Sequence, residues 1–183
     1  MATGQVYQSR KEYAKAIVQL QLAIQLQPND RETHQALIAC YDASQNAVAA
    51  TQQLLKLIEL NQHDLALYQQ LFERMKNDEA EAERAATSII ESAPNEAESH
   101  AALAEIRQTQ NRWSEAIPHW QQVAQLRRLE PTGLLKLAAA QIHEKQWGNA
   151  KQSLEKLQRT AWPSRFNTVE QETRQLSDQI PKE

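Results

Sequence analysis

Residues capable of chemistry are few in this chain and stand far apart. His143-Glu144-Lys145-Gln146-Trp147 opens like the H-E-x-x-H zinc helix, where two histidines one turn apart hold the metal, but Trp147 stands where the second histidine is needed. The ligand pair is thereby lost. The other histidines, His34, His63, His100 and His119, are scattered, and His34 and His100 occupy equivalent places in the repeat described below, which points to packing. A nucleophilic Cys40 would need a cationic neighbour to hold its thiolate, yet it sits in an Ala-, Leu- and Ile-rich helix and reads as core. Glu79, Glu81 and Glu83 beside Arg84 could be offered as an acid–base set, but they form a charge run on a predicted helix, a solvated face. Gly4, Gly133 and Gly148 are isolated, so no loop presents successive N–H groups to a phosphate. The expectation is a non-enzymatic chain with no catalytic, cofactor-binding or metal-binding residues.

The elements that must carry these residues are helices. With 3 Gly and 6 Pro in 183 residues, and Ala, Leu, Gln and Glu dominant, the chain is built from residues that lose little entropy in a helix. Lys and Arg number 20 against 23 Asp and Glu, a net charge of −3, which leaves no positive excess to neutralise a phosphate backbone and excludes nucleic acid as a partner. No stretch has the roughly 18 apolar residues of a membrane span, so no membrane insertion is expected. The single cysteine and the plain start Met1-Ala2-Thr3-Gly4 favour a reducing, cytoplasmic compartment, although a soluble domain of an exported or membrane-anchored protein would read the same.

A period organises the helices. Tyr7, Ala16, Leu20, Ala23 and Pro28 are followed 34 residues later by Tyr41, Ala50, Leu54, Leu57 and Gln62. Leu37 leads to Leu71 and Tyr41 to Met75, but Ala82, Ala86, Ile89 and Pro94 arrive two residues early, which implies a two-residue deletion near Asn77. The step then resumes: Leu103 to Leu137, Trp113 to Trp147, Ala116 to Ala150, Trp120 to Leu154 and Val123 to Leu157. Trp113 and Trp147 thus share one register position, a sign of structure rather than of base or sugar stacking.

Gly4, Tyr7, Ala16, Leu20 and Pro28 reproduce, in degenerate form, the pattern W-x2-L-G-x2-Y, A-x3-F, P, and on these residues the chain resembles the tetratricopeptide repeat family over residues 1–164. Ile38, Phe72 and Ala104 replace the first-helix glycine, and Gln62 and Arg128 the closing proline. The expected fold is all-α, a right-handed superhelix (α-solenoid) of about five helix-turn-helix repeats at about 1–30, 31–64, 65–96, 97–130 and 131–164, within one domain spanning 1–183. Turns are expected near Lys11, Gln45, Asp78, Asn111 and Lys145, with Ala16, Ala50, Ala82, Ala116 and Ala150 at close backbone approaches and Leu20, Leu54, Trp120 and Leu154 between neighbours.

After Trp162 and Phe166, which should anchor it, a capping helix is expected at about 166–180, with Asn167 and Glu170 as a capping box and Val169, Leu176 and Ile180 as the apolar stripe. Met1 falls where a first helix should already be under way. This suggests part of a longer protein and an uncapped N-terminal end that leaves room for weak self-association.

In the family the chain resembles, the first helix of each repeat lines a concave groove that takes a peptide. Mapped onto this sequence, that groove holds Gln35, Ala39, Asp42, then Gln69, Glu73, Lys76, then Ala101, Glu105, Gln108, and last Leu135, Ala139, Ile142, each triple on one helical face. With Lys76 alone among Asp42, Glu73 and Glu105, the stripe should suit a neutral-to-basic peptide and repel the acidic C-termini that chaperone adaptors clamp with basic residues. The implied function is a protein-interaction scaffold. The alternative is a regulatory or substrate-recruiting domain of a larger enzyme or envelope-associated complex. RNA recognition by pentatricopeptide-like helix pairs is opposed by both period and charge.

Overall fold

The computed structural model of the protein describes residues 2–181; Met1, on which the expectation of an incomplete first helix rests, lies outside them. Every regular element among the described residues is helical. Contacts divide the chain into two compact units that meet in sequence between Ala85 and Ala86. The first contains α1 (Ala2–Ser9), α2 (Tyr13–Leu26), α3 (Arg31–Ala43), α4 (Ala47–Leu60), α5 (Leu65–Met75) and the start of α6 (Glu79–Ser92). The second contains the rest of α6, α7 (Ala97–Thr109), α8 (Trp113–Leu126), α9 (Thr132–His143), α10 (Trp147–Arg159), a single 3-10 turn at Ser164–Phe166 and α11 (Val169–Ser177). Within each unit consecutive helices pack on one another, α1 through α5 in the first and α7 through α10 in the second, where α11 closes against both α9 and α10.

Four of the helical hairpins turn by one device. Lys11, Gln45, Asn111 and Lys145 lie in the left-handed region, with φ of 59°, 60°, 60° and 55°. Each is the second residue past a helix whose last carbonyls are recaptured from beyond the turn: Glu12 N–H donates to Tyr7 O, Asn46 to Tyr41, Arg112 to Arg107 and Gln146 to Gln141, at 2.7–2.9 Å. Glycine is the usual occupant of such a position, and an ordinary side chain there costs about 1–2 kcal/mol. The third hairpin differs. The two-residue deletion is taken from α5, which has 11 residues where α3 has 13, and the turn closes by a single Asp78 N–H to Met75 O bond of 2.8 Å with no left-handed residue. Asn46 and Asp78, at the same register, both accept a backbone N–H of the next helix through a side-chain oxygen, from Ala49 and Glu81 respectively.

The core follows the register. Ala16, Ala50, Ala82, Ala116 and Ala150 are all buried, as are Leu20, Leu54, Ala86, Trp120 and Leu154 at the next position of the period. Small residues admit close helix approach and the larger ones fill what remains. At Gly133 a Cβ would lie 2.6 Å from Ala124 N and 2.8 Å from Ala124 Cα, so glycine is what lets α9 start against the end of α8.

At the C-terminus the expected stripe is in place: Val169 and Ile180 are buried and Leu176 half-buried, joined by Thr173, whose Oγ1 donates to Val169 O at 2.7 Å. Trp162 and Phe166 pack against the same core, and Trp162 Nε1–H donates to Leu157 O at 2.8 Å. The capping box is not formed. Asn167 is itself helical in backbone, φ −65° and ψ −14°, after the 3-10 turn, and α11 begins two residues later behind Thr168 with no side-chain cap bond; Ile180 lies past its end.

Candidate functional site

Of the residues that might have done chemistry, His34, His100 and Cys40 are buried in the helix packing. His34 is buried with Nε2 2.7 Å from Pro28 O, and His100 with Nε2 3.0 Å from Pro94 O; each ties the start of a repeat's first helix to the turn before it. Tyr68, at the same register, does so through Oη to Gln62 O at 2.9 Å. His143 stacks on Trp113, rings 4.1 Å apart and 15° from parallel. Cys40 is fully buried, and burial pushes its thiol pKa up, away from the thiolate a nucleophile needs.

In the first unit, α3 and α5 are pinned at both ends by arginine–aspartate pairs. Arg31 at the start of α3 meets Asp64, the N-cap of α5, at 2.5 Å, and Asp64 also accepts Ala66 N–H at 3.1 Å. At the other end Arg74 of α5 grips Asp42 of α3 as a fork, Nη1 to Oδ1 at 2.7 Å and Nη2 to Oδ2 at 2.6 Å. Planar bidentate geometry fixes orientation as well as distance. The hydrogen bonds that Arg74 donates to Asp42 raise the pKa of its guanidinium against the opposing effect of burial.

Between these clamps, Gln35, Ala39 and Asp42 of α3 and Gln69 and Glu73 of α5 are exposed, with Lys76 immediately past the end of α5. Lys76 Nζ is 2.9 Å from Glu73. The charges on this face therefore compensate: Asp42 is matched by Arg74 and Glu73 by Lys76. Sequence reasoning missed Arg74 because it holds the register of buried Cys40 and Ile106, where an apolar residue is expected. The acidic character read from Asp42 and Glu73 is correspondingly reduced.

In the second unit Glu105 is exposed on α7 with Ala101 and Gln108 half-buried, and on α9 Leu135 and Ala139 are half-buried. Ile142 is buried in the core cluster with Leu137 and Leu154, so it drops out of any exposed stripe. A separate cleft of about 700 Å³, lined by Leu157, Trp162, Phe166, Val169, Thr173 and Arg174, opens beside the 3-10 turn.

No family model and no curated protein matches the chain. Solved structures do. The chain is similar to the Pseudomonas aeruginosa protein PilF, at 16% identity over 97% of this chain and 82% of that one with a TM-score of 0.52. It is similar to MamA, at 16% identity over 97% and 98% of the two chains with a TM-score of 0.54. It also resembles YrrB, described as a TPR protein with an unusual peptide-binding site, at 13% identity over 84% and 80% with a TM-score of 0.50. Five helical hairpins, alanines at each close approach and these structural neighbours together establish that the chain has the tetratricopeptide-type α-solenoid fold.

Proposed function

We propose that the chain is a non-enzymatic protein-interaction scaffold that holds a peptide or an extended partner segment against the first helices of its repeats. The observation that carries this reading is the α3–α5 face. Two Arg–Asp clamps hold the helices in fixed register while Gln35 and Gln69, whose amides can both donate to and accept from a peptide backbone, stand exposed between them. A rigid, charge-compensated shelf of this kind suits a neutral segment and main-chain recognition, because preorganised groups lose little freedom on binding. One structural neighbour is described as having a peptide-binding site, which supports the class of ligand. Nucleic acid is not the partner proposed: the chain carries a net charge of −3.

The test is a display screen of unstructured peptides against the folded chain, followed by calorimetric titration of an enriched peptide. The double variant Gln35→Arg/Gln69→Arg, checked by circular dichroism for unchanged helicity, should weaken that peptide at least tenfold, about 1.4 kcal/mol. An enriched peptide that binds the variant as tightly as the parent chain sinks the assignment of this face.

A further inference from the structure

The two buried imidazoles that tie a first helix to its preceding turn make different second bonds. In the first unit Gln53 of α4 contacts His34 Nδ1 through its side-chain amide. In the second unit the residue at the same register is His119 of α8, and its Nδ1 lies 3.1 Å from His100 Nδ1, with the rings 5.4 Å apart and 35° from parallel. The Pro94 carbonyl can only accept, so His100 Nε2 carries a hydrogen; in the neutral ring Nδ1 is then the acceptor, and His119 Nδ1–H is the donor.

This arrangement limits how many protons the pair can hold. One added proton is accommodated: His100 becomes the donor, and His119 accepts after shifting its own hydrogen to Nε2. A second proton puts N–H groups and positive charge on both facing nitrogens. The glutamine version has no such limit, because Gln53 can turn its amide and offer oxygen to a protonated His34.

The surroundings work in the same direction. From α7, His100 and Arg107 face His119, and α8 itself supplies Glu115, the one neighbour that favours the proton. Glu115 is engaged by Arg112 through two bonds of 2.7 and 2.6 Å and lies 3.5 Å from Arg107. The charged and titratable groups that α9 brings to α8 are Lys136, over the Trp120 ring, and His143, on Trp113. Burial first, then His100 and Arg107, hold His119 below the ordinary histidine value.

We propose that the His100–His119 pair is an acid-sensitive latch between α7 and α8, which loosens the second unit at mildly acidic pH while the corresponding His34–Gln53 contact of the first unit stays closed. The direction follows from proton counting. Above the free-histidine value of about 6.5 an open His119 is largely neutral, and the latch is at full strength. As the pH falls below it, the open state binds one proton more than the closed state, whose two facing nitrogens cannot both carry a hydrogen. Closure is then disfavoured by up to about tenfold per pH unit, until the lowered value of His119 is reached.

The experiment is native-state hydrogen exchange on the full chain, corrected for intrinsic exchange, between pH 7.5 and 5.5. It compares opening constants of α7–α8 amides with those of α3–α4 amides in the same molecule. Opening of α7–α8 should increase about tenfold more than that of α3–α4. His119→Gln should remove the difference, and Gln53→His should confer it on the first unit, which also covers the case of a poorly folded first variant. Equal pH responses of the two helix pairs in the parent chain, or a Gln53→His chain whose first unit stays insensitive, would overturn the latch.

Discussion

At matched register the two units place different chemistry on the same backbone. The first pairs His34 with Gln53 where the second pairs His100 with His119, and the first fills a core position with Leu54 where the second uses Trp120. Both solutions bury the position, and both tie a first helix to the preceding turn. The repeat therefore fixes where a side chain sits and that it is buried, while its size, polarity and titration are left to the local sequence. Stability and pH response should then diverge between units that share a fold.

The widest divergence is expected in the cores. Trp120→Ala should cost more in urea denaturation, about 3–5 kcal/mol, than Leu54→Ala, about 2–5 kcal/mol, since the larger side chain leaves the larger cavity. Equal losses would mean that the second unit closes over the void and that side-chain size does not distinguish the two cores.

A smaller effect is expected at the α8–α9 contact. Gly133→Ala forces a methyl group against the Ala124 backbone and should lower stability by about 1–3 kcal/mol, with hydrogen exchange accelerated in α8 and α9 but not in α2 and α3. Gly148→Ala, where an added Cβ meets nothing within 4 Å, is the control and should be neutral or slightly stabilising.

Much of the fold is legible in the sequence because a period places core and turns together. Ala16, Ala50, Ala82, Ala116 and Ala150, the alanines expected at close approaches, are buried, and four of the five turn residues named are the left-handed ones. The misses have local physical causes. Asn167 and Glu170 have the spacing of a capping box, but the 3-10 turn before them carries Asn167 into helical backbone, where its side chain cannot cap. Arg74 carries no readable signal: its partner Asp42 is on another helix, and its register position is apolar in the neighbouring repeats. The exposed half of the α3–α5 face, Gln35, Ala39, Gln69 and Glu73, follows from helical spacing alone; its charge balance does not.

The smallest expected effect lies in the turns, and it separates the third hairpin from the other four. Gln45→Gly or Lys145→Gly should raise the stability measured by urea denaturation slightly, by up to about 1 kcal/mol, because glycine relieves the left-handed backbone. Asp78→Gly should instead lower it by a few tenths to about 1 kcal/mol, since that turn has no left-handed residue to relieve and loses the oxygen that caps α6. A gain at all three positions would remove the distinction.

The shortened α5 has a practical corollary. Its two missing residues come off an exposed helix end beside Lys76 and Asn77, leaving Leu67, Leu71, Phe72 and Ala82 in their buried places. The segment from Lys76 to Asp78 is thus the place to graft a chemical handle or a short epitope, at the loss of one turn-closing backbone bond, Asp78 N–H to Met75 O. In the hairpins of Gln45 or Asn111 the same graft would break two such bonds, Gln45 N–H to Asp42 O with Asn46 N–H to Tyr41 O, or Asn111 N–H to Gln108 O with Arg112 N–H to Arg107 O.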